Sequence, residues 1–298
     1  MRSQRNLFQV RFWGVRGSYP TSGRATLKYG GHTSCVEVQV GGHRLIFDAG
    51  TGIIELGEQL VKRATKALSF NVFLSHTHHD HISGFYFFAP LLRSSTTLRL
   101  FGPNTGRKSL KATLEAAMDS QFFPVSLAEL DAHMEIHPLK GGEVIRLADR
   151  TQGTSANETA DGVTIVAHKS HAHPKNGVLL YRVTYRNRSL VYATDIEQKA
   201  GGWQDVIEFA RGTDLLIHDA QYLAKEYLSR SDPRKGWGHS TIERAVETAQ
   251  KAGAKRLVLF HHEPTHNDAA IRQIEKYARR LFPVTAAAYE GLTIDLLR

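Results

Sequence analysis

Residues 75–84 read SHTHHDHISG, and this stretch decides how the rest of the chain is interpreted. It follows an apolar run at 70–74 that has the character of a buried strand. Neutral imidazole and carboxylate are preferred ligands of zinc and related divalent metals, and a turn after a strand can fold such groups around one or two ions. The stretch therefore predicts the first half of a metal site. Its candidate ligands are His76, His78, His79, Asp80 and His81.

The bulk composition is that of a water-soluble globular chain. Of 298 residues, 41% are hydrophobic and 22% are charged, and this length is enough to bury a sizeable core. No apolar run has the length needed to span a bilayer, and the basic N-terminus lacks the uninterrupted apolar region of a secretory signal. We therefore expect a cytoplasmic protein with no membrane partner.

Cysteine and charge content narrow the chemistry. Cys35 is the only cysteine, so the sequence excludes an intrachain disulfide and an all-cysteine metal site. We expect Cys35 to be a small buried strand residue rather than a nucleophile. The net charge of +9 favours anionic partners such as phosphate esters, nucleotides or RNA. The alternative is that the lysines and arginines only keep the surface solvated, since no polybasic block of five or more occurs.

The first half of the chain has the pattern of an α/β arrangement. Alternation and glycine turns predict a hairpin of strands at 34–40 and 44–48, a helix at 53–67 and a short buried strand at 70–75. The histidine cluster then lies beyond the carboxyl end of a strand, where open α/β sheets commonly bind ligands. The remaining elements predicted in this half are a strand at 7–13, a helix start at 85–92, a strand at 97–102 and a helix at 106–118.

The second half repeats this plan without visible sequence repetition. The loop-like stretch at 151–162 is the only plausible seam between the halves. Beyond it, Ser240 or Thr241 is expected to cap the helix that follows GWGHST. The predicted strands are 163–167, 178–185, 189–193, 214–218, 256–260 and 292–296, and the predicted helices are 242–252 and 268–281.

A recurring event is a strand whose carboxyl end delivers a metal-type side chain. A single aspartate at a strand end is usually a turn residue, but six such endings in one chain indicate that the strand ends converge on a common cleft. The six residues are Asp48, His76, His173, Asp195, His218 and His261. By contrast, His133 and His137 have no partner spacing and are expected to be surface or core residues.

The chain resembles the metallo-β-lactamase-fold hydrolase superfamily over nearly its whole length. Within it, the resemblance is to the phosphodiesterase branch, which includes transfer-RNA 3′-processing endonucleases and cyclic-nucleotide phosphodiesterases. It implies an α/β fold of four αββα layers, formed by one domain over 1–298 with two pseudo-equivalent halves. The motifs that carry it are FDAGTG at 47–52, HTHHDH at 76–81, HP to YR at 173–182, ATD at 193–195, HDA at 218–220, HST at 239–241 and LFHHEP at 259–264.

The resemblance also implies a ligand set for two divalent metal ions. Zn²⁺ is the expected metal and Mn²⁺ the alternative. Two cations lower the pKa of a shared water, supply hydroxide at neutral pH and neutralise charge on a phosphate. Asp48 is expected to orient ligands rather than to bind metal. By matching position, one ion would be held by His76, His78 and His173, the other by Asp80, His81 and His261, and Asp195 would bridge them.

Catalysis requires a proton for the leaving oxygen as well as an activated water. His239, in the position of the HST histidine, is the candidate donor, and Asp219 is expected to orient it. The alternative is that His239 has a neutral or helix-capping role. Asp80, His239 and Asp219 are thus the predicted catalytic residues.

Several histidines compete for these roles. His171 competes with His173, which we prefer because it precedes Pro174. His262 competes with His261, which directly ends the apolar run RLVLF. Two further histidines have no assigned role: His79 occupies a variable position of the motif, and His32 stands where asparagine is common in the superfamily.

We expect an enzyme that hydrolyses a small anionic phosphodiester, with cyclic nucleotides the favoured class and a homodimer the implied assembly. The alternative is a transfer-RNA 3′-processing endonuclease, which the basic charge favours. Such enzymes usually carry a protruding arm that grips RNA, and no clear equivalent is evident between 82 and 170. A further alternative, from another class, is a non-catalytic metal-binding module.

Overall fold

A computed structural model describes residues 7–104, 108–148, 162–197 and 199–298. In this part of the chain, two mixed seven-stranded sheets carry helices on their outer faces. The strands are β1 Phe8–Gly14, β2 Cys35–Val40, β3 His43–Phe47, β4 Leu68–Phe73, β5 Thr96–Pro103, β6 His133–Leu139, β7 Val144–Leu147, β8 Val163–Ser170, β9 Val178–Tyr185, β10 Arg188–Ala193, β11 Leu215–Asp219, β12 Leu257–Phe260, β13 Thr285–Ala287 and β14 Thr293–Asp295.

The helices connect and cover these strands. They are α1 Gly52–Arg63, α2 His79–Ile82, α3 Leu110–Ala117, α4 Gln204–Phe209, α5 Ala224–Tyr227, α6 Ile242–Ala252 and α7 Asp268–Leu281. The first sheet has the order β14-β1-β2-β3-β4-β5-β6, and the second has the order β13-β12-β11-β10-β9-β8-β7. In the first sheet β3 to β6 are parallel, and in the second β10 to β13 are parallel.

The two sheets pack face to face through an aromatic core. The ring of Phe47 lies 5.4 Å from Phe73, 5.6 Å from Tyr181 and 5.5 Å from Tyr192, measured between centroids. Two further cores fill the spaces between each sheet and its helices, one under α1 and α3 and one under α4, α6 and α7. The order of layers is therefore helix, sheet, sheet, helix, which confirms the four-layer αββα sandwich.

Local chemistry explains why the elements begin and end where they do. Gly41 and Gly42, with φ of 55° and 76°, form the two-residue turn of the β2–β3 hairpin, because such a turn needs left-handed backbone. The predicted helix at 106–118 begins only at Leu110, because Ser109 caps it by accepting a hydrogen bond from the Ala112 N–H at 3.1 Å. Residues 105–107 lie outside the described part of the chain.

Some predicted details of the elements were wrong. The apolar segment at 85–92 forms two short 3₁₀ turns rather than a helix start. Thr241 is at the N-cap of α6 without a capping side-chain bond, and the Ser240 hydroxyl donates instead to the Ile196 carbonyl. Strand β13 was not predicted. Of the predicted seam at 151–162, residues 151–161 lie outside the described part of the chain. The division into two pseudo-equivalent halves therefore stays a prediction.

Membrane insertion was not expected from the sequence. Among the residues that the structure describes, no helix is both long enough and apolar enough to cross a bilayer.

The core between the sheets should dominate stability. Phe8 is fully buried and packs edge to face against Tyr185, with centroids 6.4 Å apart. We predict that Phe8→Ala lowers the free energy of unfolding by about 3–5 kcal/mol, because it removes buried area and leaves a cavity. Phe122, which is 78% exposed, is the matched control, and Phe122→Ala should change stability by less than about 0.5 kcal/mol. Urea denaturation checks both values, and equal midpoints for the two variants would contradict this packing.

Candidate metal centre

Three strands end in residues with left-handed backbone. Asp48 directly follows β3 and has a φ angle of 59°. Asp195 lies two residues after β10 with a φ angle of 54°, and His261 directly follows β12 with a φ angle of 62°. This conformation is uncommon for residues other than glycine, although aspartate and histidine adopt it more often than most. Unfavourable backbone of this kind tends to concentrate at functional sites. Here the sharp turn directs three polar side chains into one cleft.

The histidine cluster meets these strand ends from the segment after β4. His76 and Asp80 are buried, His81 is completely buried, and His78 lies exposed at the rim. His78 has extended backbone and is the N-cap of the short helix α2, which places Asp80 and His81 in the first turn of that helix. The local order of the motif thus separates one rim histidine from three inward-facing side chains.

One group of donor atoms consists of His76, His78, His173 and Asp195, with one atom of each within 4.8 Å of the others. The Nε2 of His173 lies 3.4 Å from the Nδ1 of His78, and the Nε2 of His76 lies 3.5 Å from Asp195 Oδ2. The Nε2 of His76 is buried and has no hydrogen-bond partner. A buried nitrogen left without a partner costs free energy, so this atom fits a site that a metal ion completes.

A second group consists of Asp80, His81 and His261. The Nε2 of His261 lies 3.0 Å from Asp80 Oδ2 and 3.2 Å from the Nε2 of His81. Asp195 Oδ1 lies 3.2 Å from His81 Nε2 and 3.3 Å from His261 Nε2, while its Oδ2 faces His76 of the first group. The carboxylate of Asp195 therefore lies between both groups, in the position expected of a bridging ligand.

The protonation of these groups suits divalent metal. Burial, reinforced by neighbouring histidines, holds the pKa of His76 well below its ordinary value. His78 is exposed as a residue, but partial burial of its ring together with His173 lowers its pKa to about 4. Burial also lowers the pKa of His173. Burial opposes ionisation of Asp80, but His81 and His261 hold its pKa well below the usual range. Neutral imidazoles and ionised carboxylates are the forms that bind zinc, so the residues present fit the metal.

His81 lies among three buried carboxylates. Burial lowers its pKa, but Asp195, Asp80 and Asp48 outweigh burial and hold the pKa well above its ordinary value. Among the described residues, the ion-pair partners of these three carboxylates are histidines. Bound cations would neutralise this charge and return His81 to the neutral form that coordinates metal.

Asp48 orients the site without joining either group. Its carboxylate accepts hydrogen bonds from the Ser75 N–H at 2.7 Å, the Ser75 hydroxyl at 2.8 Å, the Tyr192 hydroxyl at 2.7 Å and His81 Nδ1–H at 2.8 Å. Since Nδ1 of His81 is held in this way, Nε2 is directed at the second group. Sequence reasoning identified Asp48 but missed Ser75 and Tyr192.

Other ligands are oriented by groups that carry no sequence motif. His173 Nδ1–H donates to the Gly238 carbonyl at 3.2 Å, and His261 Nδ1–H donates to Gln221 Oε1 at 3.0 Å. The Ser18 N–H donates to Asp80 Oδ2 at 2.7 Å, which brings the glycine-rich loop at 14–23 to the cleft. Glycine content is one sequence signal for that loop. Gly17 is required there because a Cβ at this position would lie 2.3 Å from the His261 ring.

His239 and Asp219 form a pair beside both groups. His239 Nδ1–H donates to Asp219 Oδ2 at 2.8 Å, and Asp219 Oδ1 accepts the Ser240 N–H at 2.9 Å. Burial lowers the pKa of His239, but Asp219 outweighs it and raises the pKa to about 9. The His239 and His261 rings stack with centroids 4.8 Å apart. A third group of donor atoms consists of Asp195, Asp219, His239 and His261. Within it, the facing atoms of Asp219 and His239 are already hydrogen-bonded to each other.

The competing histidines lie away from the donor atoms. His171 is exposed, whereas His173 is only 3% exposed. His262 donates its Nε2–H to the Ala288 carbonyl at 2.9 Å, so it is directed into the fold. His79 is exposed, and His32 Nδ1 lies 3.2 Å from the Thr51 hydroxyl. This placement agrees with the preference for His173 and His261, while their roles as ligands stay a prediction.

Three other expectations have clear outcomes. His218, one of the six strand-end residues, was wrongly counted, because it is outside all three groups and donates Nδ1–H to the Asp219 carbonyl at 2.7 Å. Successive side chains of a strand face opposite sides, so in β11 it is Asp219 that reaches the cleft. Cys35 is buried in β2, as expected, and burial raises the pKa of its thiol well above the ordinary value. His133 and His137 lie in β6 near Glu135 at the surface.

Comparison with protein families places this geometry in a known class. The model described as a β-lactamase superfamily domain matches residues 43–262, which is well over half of the chain. The chain belongs to the β-lactamase superfamily. The resemblance to metallo-β-lactamase-fold hydrolases is thereby confirmed, and this superfamily member is a metal-dependent hydrolase.

Relatives of this superfamily member include enzymes named ribonuclease Z. That of Gemmatimonas aurantiaca is 28% identical, over 96% of this chain and 95% of its own length. That of Picrophilus torridus is 27% identical, over 88% of this chain and 87% of its own length.

Solved structures with the same fold are more varied. YhfI from Bacillus subtilis, a metallo-β-lactamase-fold protein, has a TM-score of 0.66 at 21% identity and covers 97% of this chain and 99% of its own. The short form of human tRNase Z has a TM-score of 0.61 at 22% identity, with the same coverage. Unliganded yeast PDE1 has a TM-score of 0.64 at 11% identity, over 98% of this chain and all of its own. At these identities the likenesses show the fold alone.

The contacts of Asp48 lead to a prediction about metal affinity. Asp48→Asn keeps a residue that tolerates left-handed backbone but removes the charge that holds His81. We expect affinity for Zn²⁺ to fall about 10- to 100-fold, the usual cost of removing a group that orients a ligand. Tyr192→Phe, which removes one of the four donors and leaves the Asp48–His81 contact, should have a smaller effect. Competition with a chromophoric chelator measures both, and an unchanged affinity in Asp48→Asn would show that Asp48 does not support the site.

Proposed function

We propose that the protein is a dinuclear metal-dependent phosphodiesterase. The observation that best supports this proposal is the His239–Asp219 pair, which lies beside two groups of metal-type donors. Cleavage of a phosphodiester with an alkoxide leaving group needs a proton donor close to the reacting phosphate. A non-catalytic metal-binding module, the alternative from another class, has no need of such a pair.

The proposed ligands follow the two groups of donor atoms. His76, His78 and His173 would hold one divalent cation, and Asp80, His81 and His261 would hold the other, with Asp195 between them. When bound, two such cations lower the pKa of a water molecule and neutralise charge on a phosphate. Zn²⁺ is the proposed metal because the donors are imidazole and carboxylate, and Mn²⁺ is the alternative.

The protein's own residues position and protonate the substrate. Asp219 holds His239 Nδ1–H, so the proton available for transfer is the one on Nε2. Asp219 raises the pKa of His239, which favours the imidazolium form that carries this proton. As an oxygen from water bonds to phosphorus, the P–O bond to the leaving group breaks, its electron pair goes to the leaving oxygen, and Nε2–H supplies the proton of that oxygen. Asp80, predicted to act in catalysis, is fixed by the Ser18 N–H on the side of the second group.

The proposed substrate is an RNA, cleaved at the 3′ end of a precursor transfer RNA. The relatives named ribonuclease Z, which align over most of this chain, support it. The net charge of +9 is also suited to a polyanion, since basic charge raises the local concentration of phosphates. This ranking reverses the one drawn from the sequence, in which a cyclic nucleotide was favoured.

A cyclic nucleotide is the second candidate. It is supported by two segments near the start of the chain, FWGVRGSYP at 12–20 and YGGHTSC at 29–35, which resemble those of compact members of the phosphodiesterase branch that act on small substrates. The loop at 14–23 also reaches the cleft, through the contact of Ser18 with Asp80. For either substrate, we propose that the protein is a homodimer, as the family resemblance implies.

The role of His239 can be tested through the leaving group. We predict that His239→Ala lowers kcat/KM about 10²- to 10⁴-fold for a phosphodiester whose leaving group is a sugar hydroxyl, because that oxygen needs a proton. For bis(p-nitrophenyl) phosphate, whose leaving group is stable as an anion, the loss should be much smaller. Steady-state kinetics of the metal-loaded proteins give both values. Equal losses on the two substrates would exclude His239 as the proton donor.

The substrate class can be tested with a panel. Metal-loaded protein is incubated with a precursor transfer RNA carrying a 3′ trailer, with 3′,5′-cyclic nucleotides and with bis(p-nitrophenyl) phosphate, in Zn²⁺ and in Mn²⁺. We expect the aryl ester to be hydrolysed and the precursor to be cut at the 3′ end of the mature transfer RNA. Turnover of cyclic nucleotides without cleavage of the precursor would establish the second candidate.

Two adjacent histidines supply the matched control for this panel. His173→Ala should abolish turnover, because it removes a proposed ligand, and His171→Ala should retain it, because His171 is exposed. If none of the substrates is hydrolysed by correctly folded, metal-loaded protein, the proposed function is wrong.

A further inference from the structure

An exposed tryptophan belongs to the same short loop as the proposed proton donor. Trp237 is 55% exposed and precedes His239 by two residues, so their Cα atoms are at most about 7 Å apart. The guanidinium carbon of Arg234 lies 4.8 Å from the centre of the indole and 6.0 Å from the centre of the Tyr222 ring. Arg234 therefore covers part of the indole, while more than half of the Trp237 surface stays open.

The loop that carries Trp237 is held firmly on both sides of this residue. The carboxylate of Glu197 accepts the Gly236 N–H at 3.0 Å, and it also accepts the Gly238 N–H and the Tyr227 hydroxyl. The Gly238 carbonyl in turn accepts His173 Nδ1–H. Because one carboxylate fixes the residues before and after it, and the Gly238 carbonyl bonds His173, the backbone of Trp237 is held at a defined position relative to the metal groups.

The surroundings of this ring are suited to an anion. Lys225, Arg230 and Lys235 are exposed on the same segment. The acidic residues nearby have partners of their own. Glu226 pairs with His266 at 2.8 Å and Asp232 pairs with Arg234 at 2.7 Å, while Glu197 accepts the loop N–H groups and Glu263 accepts the Gln221 side-chain amide at 2.8 Å. A phosphate-bearing ligand therefore meets positive charge on approach to the cleft.

A single exposed aromatic residue is by itself ordinary on a protein surface. Trp237 differs in three ways: Glu197 holds the backbone on both sides of it, a cation covers part of its indole, and it stands two residues before His239. It also belongs to none of the hydrophobic cores of the described residues, so packing does not explain its size. Rigid indole rings beside basic side chains are the groups on which unpaired nucleobases stack.

We propose that Trp237, supported by Arg234, is a stacking platform for the nucleobase next to the scissile phosphate. The inference rests on the proposed phosphodiesterase function and adds a base-binding subsite to it. Stacking does not read the identity of the base, because every base has a π-face. The platform would thus position the nucleotide rather than select its sequence.

Binding of a reaction product tests this subsite without requiring turnover. The affinities of the metal-loaded protein for AMP and for ribose 5-phosphate are measured by isothermal titration calorimetry, and their ratio reports the base alone. Trp237→Ala should reduce this ratio about 5- to 100-fold, as expected for loss of one base–aromatic stack. Trp237→Phe should retain most of it, because a smaller aromatic ring remains.

Phe122→Ala is the matched control, because it removes an exposed aromatic ring from the other half of the chain and should leave the ratio unchanged. An unchanged ratio in Trp237→Ala, or an equal loss in Trp237→Ala and Trp237→Phe, would overturn the proposal. If AMP binds through Trp237 but no phosphodiester in the panel is hydrolysed, the function is wrong and the base-binding subsite stands.

Two kinetic arms identify the source of the base. The first compares a precursor transfer RNA with the same RNA carrying an abasic nucleotide beside the cleavage site. The second compares a cyclic nucleotide with the corresponding cyclic ribose phosphate. For the substrate that the protein cleaves, Trp237→Ala should remove the preference for the compound that carries the base. If Trp237→Ala keeps this preference in both comparisons, the base does not stack on Trp237.

Discussion

The structure of the cleft depends on one buried carboxylate. Asp195 directs one oxygen at His76 and the other at His81 and His261, so it links a group of donors on each side. It can do so only because its left-handed backbone turns the chain sharply after β10. Burying so much carboxylate together with imidazole is unfavourable unless the charges are compensated, and a pair of divalent cations would supply that compensation.

The fold explains why distant segments can supply this arrangement. Parallel strands β3 and β4 in one sheet and β10 to β12 in the other end at the same cleft, and the aromatic core between the sheets fixes their relative position. Tyr192 illustrates the connection, because its ring packs on Phe47 in that core while its hydroxyl donates to Asp48. Tyr192 therefore couples the packing of the two sheets to the geometry of the site.

Part of this was predictable from the sequence, for physical reasons. The residues of the HTHHDH motif are consecutive, so a local turn is enough to bring them together, and helices α6 and α7 were predicted with their exact bounds from periodic apolar positions. His173 and Asp195 were placed by motifs rather than by local spacing. The sequence could not show left-handed backbone at strand ends, nor which face of β11 turns inward, which is why His218 was misjudged. Supporting contacts such as those of Gln221 and Glu197 depend on tertiary packing and leave no local pattern.

The central claim is that the cleft holds two divalent cations with Asp195 between them. Anomalous diffraction at the zinc edge, from crystals of the metal-loaded protein, tests it most directly. The account predicts two peaks, one among His76, His78 and His173 and one among Asp80, His81 and His261, with Asp195 in contact with both. A single peak, or a peak held by Asp219 and His239, would contradict it.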